Sequence, residues 1–106
     1  MEAMVMVYDE IGPFHEGLAW AKIYGQWFHI CPDNTPAYEQ RYDNVGPFFE
    51  GLAQVSKDNQ WFHIHPNGSP AYKQRYDWVG SFSKGLAKAR NGSQEFYIRP
   101  DGTKVE

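Results

Sequence analysis

The sequence predicts an all-β protein: tandem antiparallel β-hairpin or three-stranded units, three copies, stacked as a short solenoid-like array. Three observations carry this. First, Tyr8, Tyr42 and Tyr76 head stretches that recur with a period of 34 residues, and the first two copies agree at 20 of 34 positions. The frame Tyr-Asp-x-(Ile/Val)-Gly-x-Phe-x-x-Gly-Leu-Ala is kept in all three. Second, ten Gly and seven Pro interrupt every stretch before a dozen residues pass, and both residues weaken helix interiors. Third, segments such as Trp27-Phe28-His29-Ile30 are aromatic and β-branched and alternate with a period of two.

The units run over 8–41, 42–75 and 76–106. Residues 1–7 align with 35–41 and read as the final strand of a further unit. Within a unit, "LAWA" or "LAQV" forms one strand, joined to the next by the polar turns "IYGQ", "KDNQ" or "NGSQ". "WFHI" is the second strand, with Phe28 and Ile30 expected on one side and Trp27 and His29 on the other. "PDNT", "PNGS" and "PDGT" follow as turns in which Pro fixes φ and Gly or Asn accepts a positive φ. A third extended stretch, "PAYEQRYDNV" or "PAYKQRYDWV", completes the unit.

One such unit alone is marginal in water, so burial must come from stacking. The expected core is Phe14, Phe48 and Phe82, with Phe28, Phe62 and Phe96 and Ile30, Ile64 and Ile98. Leu18, Leu52, Leu86 and the alanine after each join them. The Gly-Leu-Ala triplets suggest a bulge or a close backbone approach. The third copy carries Glu95 at the Trp position, Tyr97 at the His position and "TKVE" for the last stretch, as a capping repeat would. An open stack is preferred to a closed pseudo-threefold β assembly.

One hundred and six residues make a single repeat domain. The lone Cys31 forms no internal disulfide and asks for no oxidising compartment. No apolar run is long enough for a membrane-spanning helix, and the opening "MEAMVMVYDE" does not read as a secretory leader, so no membrane partner and a cytoplasmic chain are expected. A net charge of −3 offers no basic footprint for nucleic acid. That charge is unevenly spread: residues 1–53 carry −6 and residues 54–106 carry +3.

On the Phe-x-x-Gly-Leu-Ala core, the alternating strand, the polar turn, the Trp-x-x-Ile strand and the Pro-x-Gly turn, the sequence resembles the bacterial WG-repeat (KWG-repeat) proteins along essentially its whole length. It is a divergent form, with Trp27-Phe28 and Trp61-Phe62 where the family has Trp-Gly, and Glu95-Phe96 in the third copy. The resemblance implies an array of β repeats, often within longer bacterial proteins, without a general biochemical activity and without catalytic residues to transfer.

Several constellations invite chemistry. His63 and His65, two apart on one strand, with His29 one repeat away, could begin a zinc or nickel site. Tyr97 and Arg99 hold those places in the third copy, so histidines packed half-buried beside tryptophan are expected instead, and no metal or other cofactor. Asp9, Asp43 and Asp77 recur in every unit, which points to a turn acceptor. Glu16 and Glu50 are matched by Lys84, so a carboxylate pair would have to be built between the first two repeats. The "NGS" stretches at Asn67 and Asn91 read as tight turns. No phosphate loop or nucleophile elbow is present, and no enzyme is expected.

Binding fits better. Trp20, Trp27, Trp61 and Trp78, with His29 and His63, are the candidate contact residues. Trp20 and Trp78 stand where other copies carry polar residues, as exposed contacts or as covers over a repeat end. The expected function is a non-catalytic scaffold for protein–protein interaction or head-to-tail self-association, with carbohydrate or cell-wall binding as the alternative.

Overall fold

The computed structural model describes residues 7–105, and among them there is no helix. Three sheets follow one another along the chain, each of three antiparallel strands in sequential order. The first holds β1 (Glu10–Ile11), β2 (Ala19–Ile23) and β3 (Gln26–Ile30). The second holds β4 (Asn44–Val45), β5 (Ala53–Lys57) and β6 (Gln60–Ile64). The third holds β7 (Trp78–Val79), β8 (Ala87–Asn91) and β9 (Gln94–Ile98). The array is open and elongated, 57 × 26 × 21 Å. The reading of residues 1–7 as a strand lies outside the described residues except at Val7, which is 78% exposed.

Register comes from two-residue turns. In β2–β3, Ala21 faces Phe28 and Ile23 faces Gln26, leaving Tyr24-Gly25 as the loop, with φ of 52° and 77°. Asp58-Asn59 repeats this at 54° and 65°, the type I′ pattern whose twist suits the strands it joins. In the third unit Gly92 takes the first loop position at 58°.

The Gly-Leu-Ala triplets are turns as well, which corrects the expected bulge or close approach. Glu16-Gly17, Glu50-Gly51 and Lys84-Gly85 all have positive φ, and His15–Leu18, Phe49–Leu52 and Ser83–Leu86 bridge across them. Open space surrounds all three glycines, so it is φ that selects glycine there. Asp43 and Asp77 do accept turn N–H groups, but across the sheet: Asp43 from Asp58 at 2.9 Å and Asp77 from Gly92 at 2.7 Å.

The third extended stretch is the coupling between sheets. After β3 it returns along the β3 edge, with Ala37 N–H on the His29 carbonyl and Tyr42 exchanging two backbone bonds with Trp27. It then crosses to give β4, which pairs with β5. Tyr76 and Trp61 repeat this step into the third sheet.

Burial follows, with two corrections. Phe28, Ile30, Ile64 and Ile98 are fully buried, and Phe48 and Phe82 are within 2% of it. Each such side chain contributes roughly 1.5–3 kcal/mol. Phe14, however, is 47% exposed and Leu86 36%, because each faces outward at an end of the array, where none of the described sheets covers it. The opposite face of β3 is also buried, since His29 and His63 are fully enclosed rather than half-buried. Arginine completes the layer. Arg41 lies 3.9 Å over the Phe28 ring and donates to the carbonyls of Tyr38, Glu39 and Gln40. Arg75 does the same over Phe62, while Lys104 takes the place on Phe96.

Candidate functional site

The feature that organises the molecule is the junction between successive repeats, and it is built twice from the same parts. His29 and His63 stand at the fourth position of β3 and β6, pointing at the next sheet. His29 Nε2 meets the Gly46 carbonyl at 2.8 Å and His63 Nε2 meets Gly80 at 2.7 Å. A carbonyl only accepts, so Nε2 carries the proton. Nδ1 then accepts from the hydroxyls of Tyr38 and Tyr72, both at 2.6 Å. Phe48 and Phe82 cap the imidazoles at ring distances of 4.6 and 4.5 Å. Burial holds both histidines down to about 4 against an ordinary 6.5, opposed by the bond to the glycine carbonyl. The same burial raises Tyr38 and Tyr72 above the usual phenol.

Beside this packed centre runs a row of carboxylate clamps. Glu16 accepts from the N–H groups of Glu50 (2.8 Å) and Gly51 (2.9 Å), 34 and 35 residues on. Glu50 accepts in turn from Lys84 (2.5 Å) and Gly85 (2.9 Å). Each pair of N–H groups belongs to a positive-φ turn, an arrangement that forms an anion-binding concavity. A third seam lies at the turns. Gly68 and Gly102 press against Tyr38 and Tyr72 so closely that a Cβ would sit 2.6 and 2.5 Å from those side chains.

The candidate residues distribute unevenly over this geometry. His29 and His63 are interior junction residues, not surface contacts. His65 lies beyond β6, exposed in the turn, so it shares no site with His63. Among the described residues no three His, Cys, Asp or Glu groups could hold a metal. Glu16 and Glu50 are committed to backbone N–H groups and do not form an acid–base pair. Trp20 is half-buried and lies on Gly12, where a Cβ would approach its ring to 2.1 Å, so it acts as a cover. Trp78 is half-buried near Gly80, and Trp27 and Trp61 are half-buried on β3 and β6. The Trp20 position is not simply exposed either: Gln54 accepts from the Ser81 hydroxyl at 2.7 Å across the second junction. Asn67 closes its own turn by accepting from Ser69, while Asn91 accepts from Asp77 N–H across the sheet.

The WG containing repeat family matches residues 6–27, 37–61 and 64–93. This chain belongs to that family. Its three matched segments fall on the three sheets. No curated protein and no solved structure shows a significant match to the chain.

At its two ends this WG-repeat array shows one half of a junction each. At the N-terminal end, Phe14 occupies the place of Phe48 and Phe82, and no described residue meets the Gly12 carbonyl or the N–H groups of Glu16 and Gly17. At the C-terminal end, Tyr97 stands where the histidines stand and is 50% exposed, and Lys84 replaces the clamping glutamate. The sequence shows the Glu16–Glu50–Lys84 series, but not that its members act on residues 34 positions away.

Proposed function

We propose that this chain is a non-catalytic WG-repeat scaffold that mediates protein–protein interaction, including association between its own copies, through the ends of the array. The observation that carries the reading is the pair of half-junctions: an outward Phe14 at one end and an outward Tyr97 at the other. Large aromatic side chains of this kind supply contact area in protein interfaces. The charge split, −6 over residues 1–53 and +3 over 54–106, favours head-to-tail encounter of two copies. Absence of catalysis belongs to the same proposal, supported by carboxylates and imidazoles that are already held by backbone groups and tyrosines. So does a cytoplasmic setting, for which one cysteine needing no partner is adequate.

Sedimentation velocity tests this. Weak, concentration-dependent association is expected in dilute buffer and is lost at about 0.5 M salt, where the Debye length falls to roughly 4–5 Å. A strict monomer in dilute buffer at high protein concentration removes the self-association part. Carbohydrate binding is the second reading. It is favoured by a groove of about 310 Å³ that brings Phe49 and Phe82 beside Ser81, Ser83, Glu16 and Glu50. Sugar-dependent changes in tryptophan fluorescence, or hits on a glycan array, would support it.

A further inference from the structure

We infer that the N-terminal end face is an acceptor for the trailing face of another WG-type unit, one that presents a glutamate and a histidine where Glu50 and His63 stand, and that Lys84 and Tyr97 keep this chain's own tail from filling it well. The inference deepens the scaffold reading and rests on it.

The acceptor is already shaped. Glu16 and Gly17 have φ of 52° and 83°, against 52° and 81° for Glu50 and Gly51 and 54° and 83° for Lys84 and Gly85. The last two N–H pairs each hold a carboxylate. The first pair has the same backbone, is exposed, and meets no acceptor among the described residues. Next to it the Gly12 carbonyl takes the place of Gly46 and Gly80, whose partners are imidazole Nε2 atoms. Phe14 takes the place of Phe48 and Phe82, whose partners are the faces of the same imidazoles. Three separate groups, an N–H pair, a carbonyl and an aromatic ring, thus ask for the same occupant. Two internal junctions show what it looks like.

The chain's own tail answers poorly. An ammonium has donors only, so Lys84 cannot accept from Glu16 and Gly17 N–H and would set a positive charge against them. Tyr97 has a hydroxyl for the Gly12 carbonyl, but its ring is longer than an imidazole and lacks the second nitrogen that the tyrosine hydroxyls engage at His29 and His63. Docking of copies therefore stays weak, and tight docking is kept for a unit with Glu and His.

Restoring those two residues in the full chain tests this, because two accounts then predict opposite signs. If association is only charge-driven, Lys84→Glu makes the basic half less basic and weakens it. If the N–H pair is the acceptor, Lys84→Glu strengthens it, and Lys84→Glu with Tyr97→His strengthens it further, by about tenfold or more in dissociation constant. Adding Phe14→Lys to the double variant should return the sedimentation profile to that of the natural sequence. All three residues are exposed, and near-UV circular dichroism verifies that each variant is folded. Unchanged or weaker association of folded Lys84→Glu overturns the inference, as do oligomers that survive Phe14→Lys. A natural chain that associates in a salt-dependent way while Lys84→Glu does not strengthen it overturns only this inference and leaves the scaffold reading standing.

Discussion

The second and third sheets have the same strand lengths, the same register and nearly the same frame, yet their last strands live in different surroundings. In β6, Phe62, His63 and Ile64 are all buried, because the third sheet covers one face and Tyr42 and Arg75 the other. In β9 only Ile98 is buried; Glu95 and Tyr97 are exposed and Phe96 is half-buried. A sheet in this protein is thus a half-product, and the neighbour on its trailing side finishes it. The comparison also separates what a residue is from where it stands. Phe14 and Phe48 hold the same place in the repeat, and one is 47% exposed while the other is 1%.

Acid offers the largest way to break this contrast. The buried histidines have folded values near 4, below the unfolded 6.5, so the unfolded chain binds protons that the native chain refuses. Their contribution is whole above pH 6.5 and lost as pH falls toward 4. The loss amounts to about 3 kcal/mol for each histidine across that window. Urea midpoints at pH 7 and 4.5 should differ accordingly. The His29 and His63 ring resonances should titrate near 4; titration near 6.5 would contradict the enclosed imidazoles.

Truncation at the two phenylalanine places comes next. Phe48→Ala empties a filled junction and should cost about 3–5 kcal/mol, whereas Phe14→Ala should cost under about 1 kcal/mol. Equal costs would mean that the N-terminal end is as well covered as a junction.

The carboxylate row gives the smallest effect. Glu16→Gln keeps the shape but exchanges two charge-assisted bonds for one acceptor, with a loss of about 0.5–1 kcal/mol in this exposed setting. Lys84→Gln, which clamps nothing, should be neutral within about 0.5 kcal/mol. Matched denaturation curves would separate the two positions.

Much of this architecture can be read from the residues themselves. The period of 34, the all-β class, the hairpin turns and the positive φ at Asn34, Gly68 and Gly102 follow from signals only a few residues long. Phe28, Phe62, Ile30, Ile64 and Ile98 were legible as core because strand alternation is local, whereas Phe96, expected with them, is only half-buried. Glu16-Gly17 was harder, since a type I′ turn favours Asn-Gly or Asp-Gly and a glutamate in that place carries no turn signal.

What only the tertiary structure decided lies at separations of about 17 to 35 residues. There a histidine finds the carbonyl of the next unit's glycine, and a glutamate finds the N–H groups of the next unit's turn. No periodicity within a strand could tell that His29 is enclosed while Tyr97, at the same phase, is not. Sequence pattern sets which way a side chain points. Whether that direction meets another sheet or water depends on the neighbour, and in a stacked array the neighbour is a property of position along the stack.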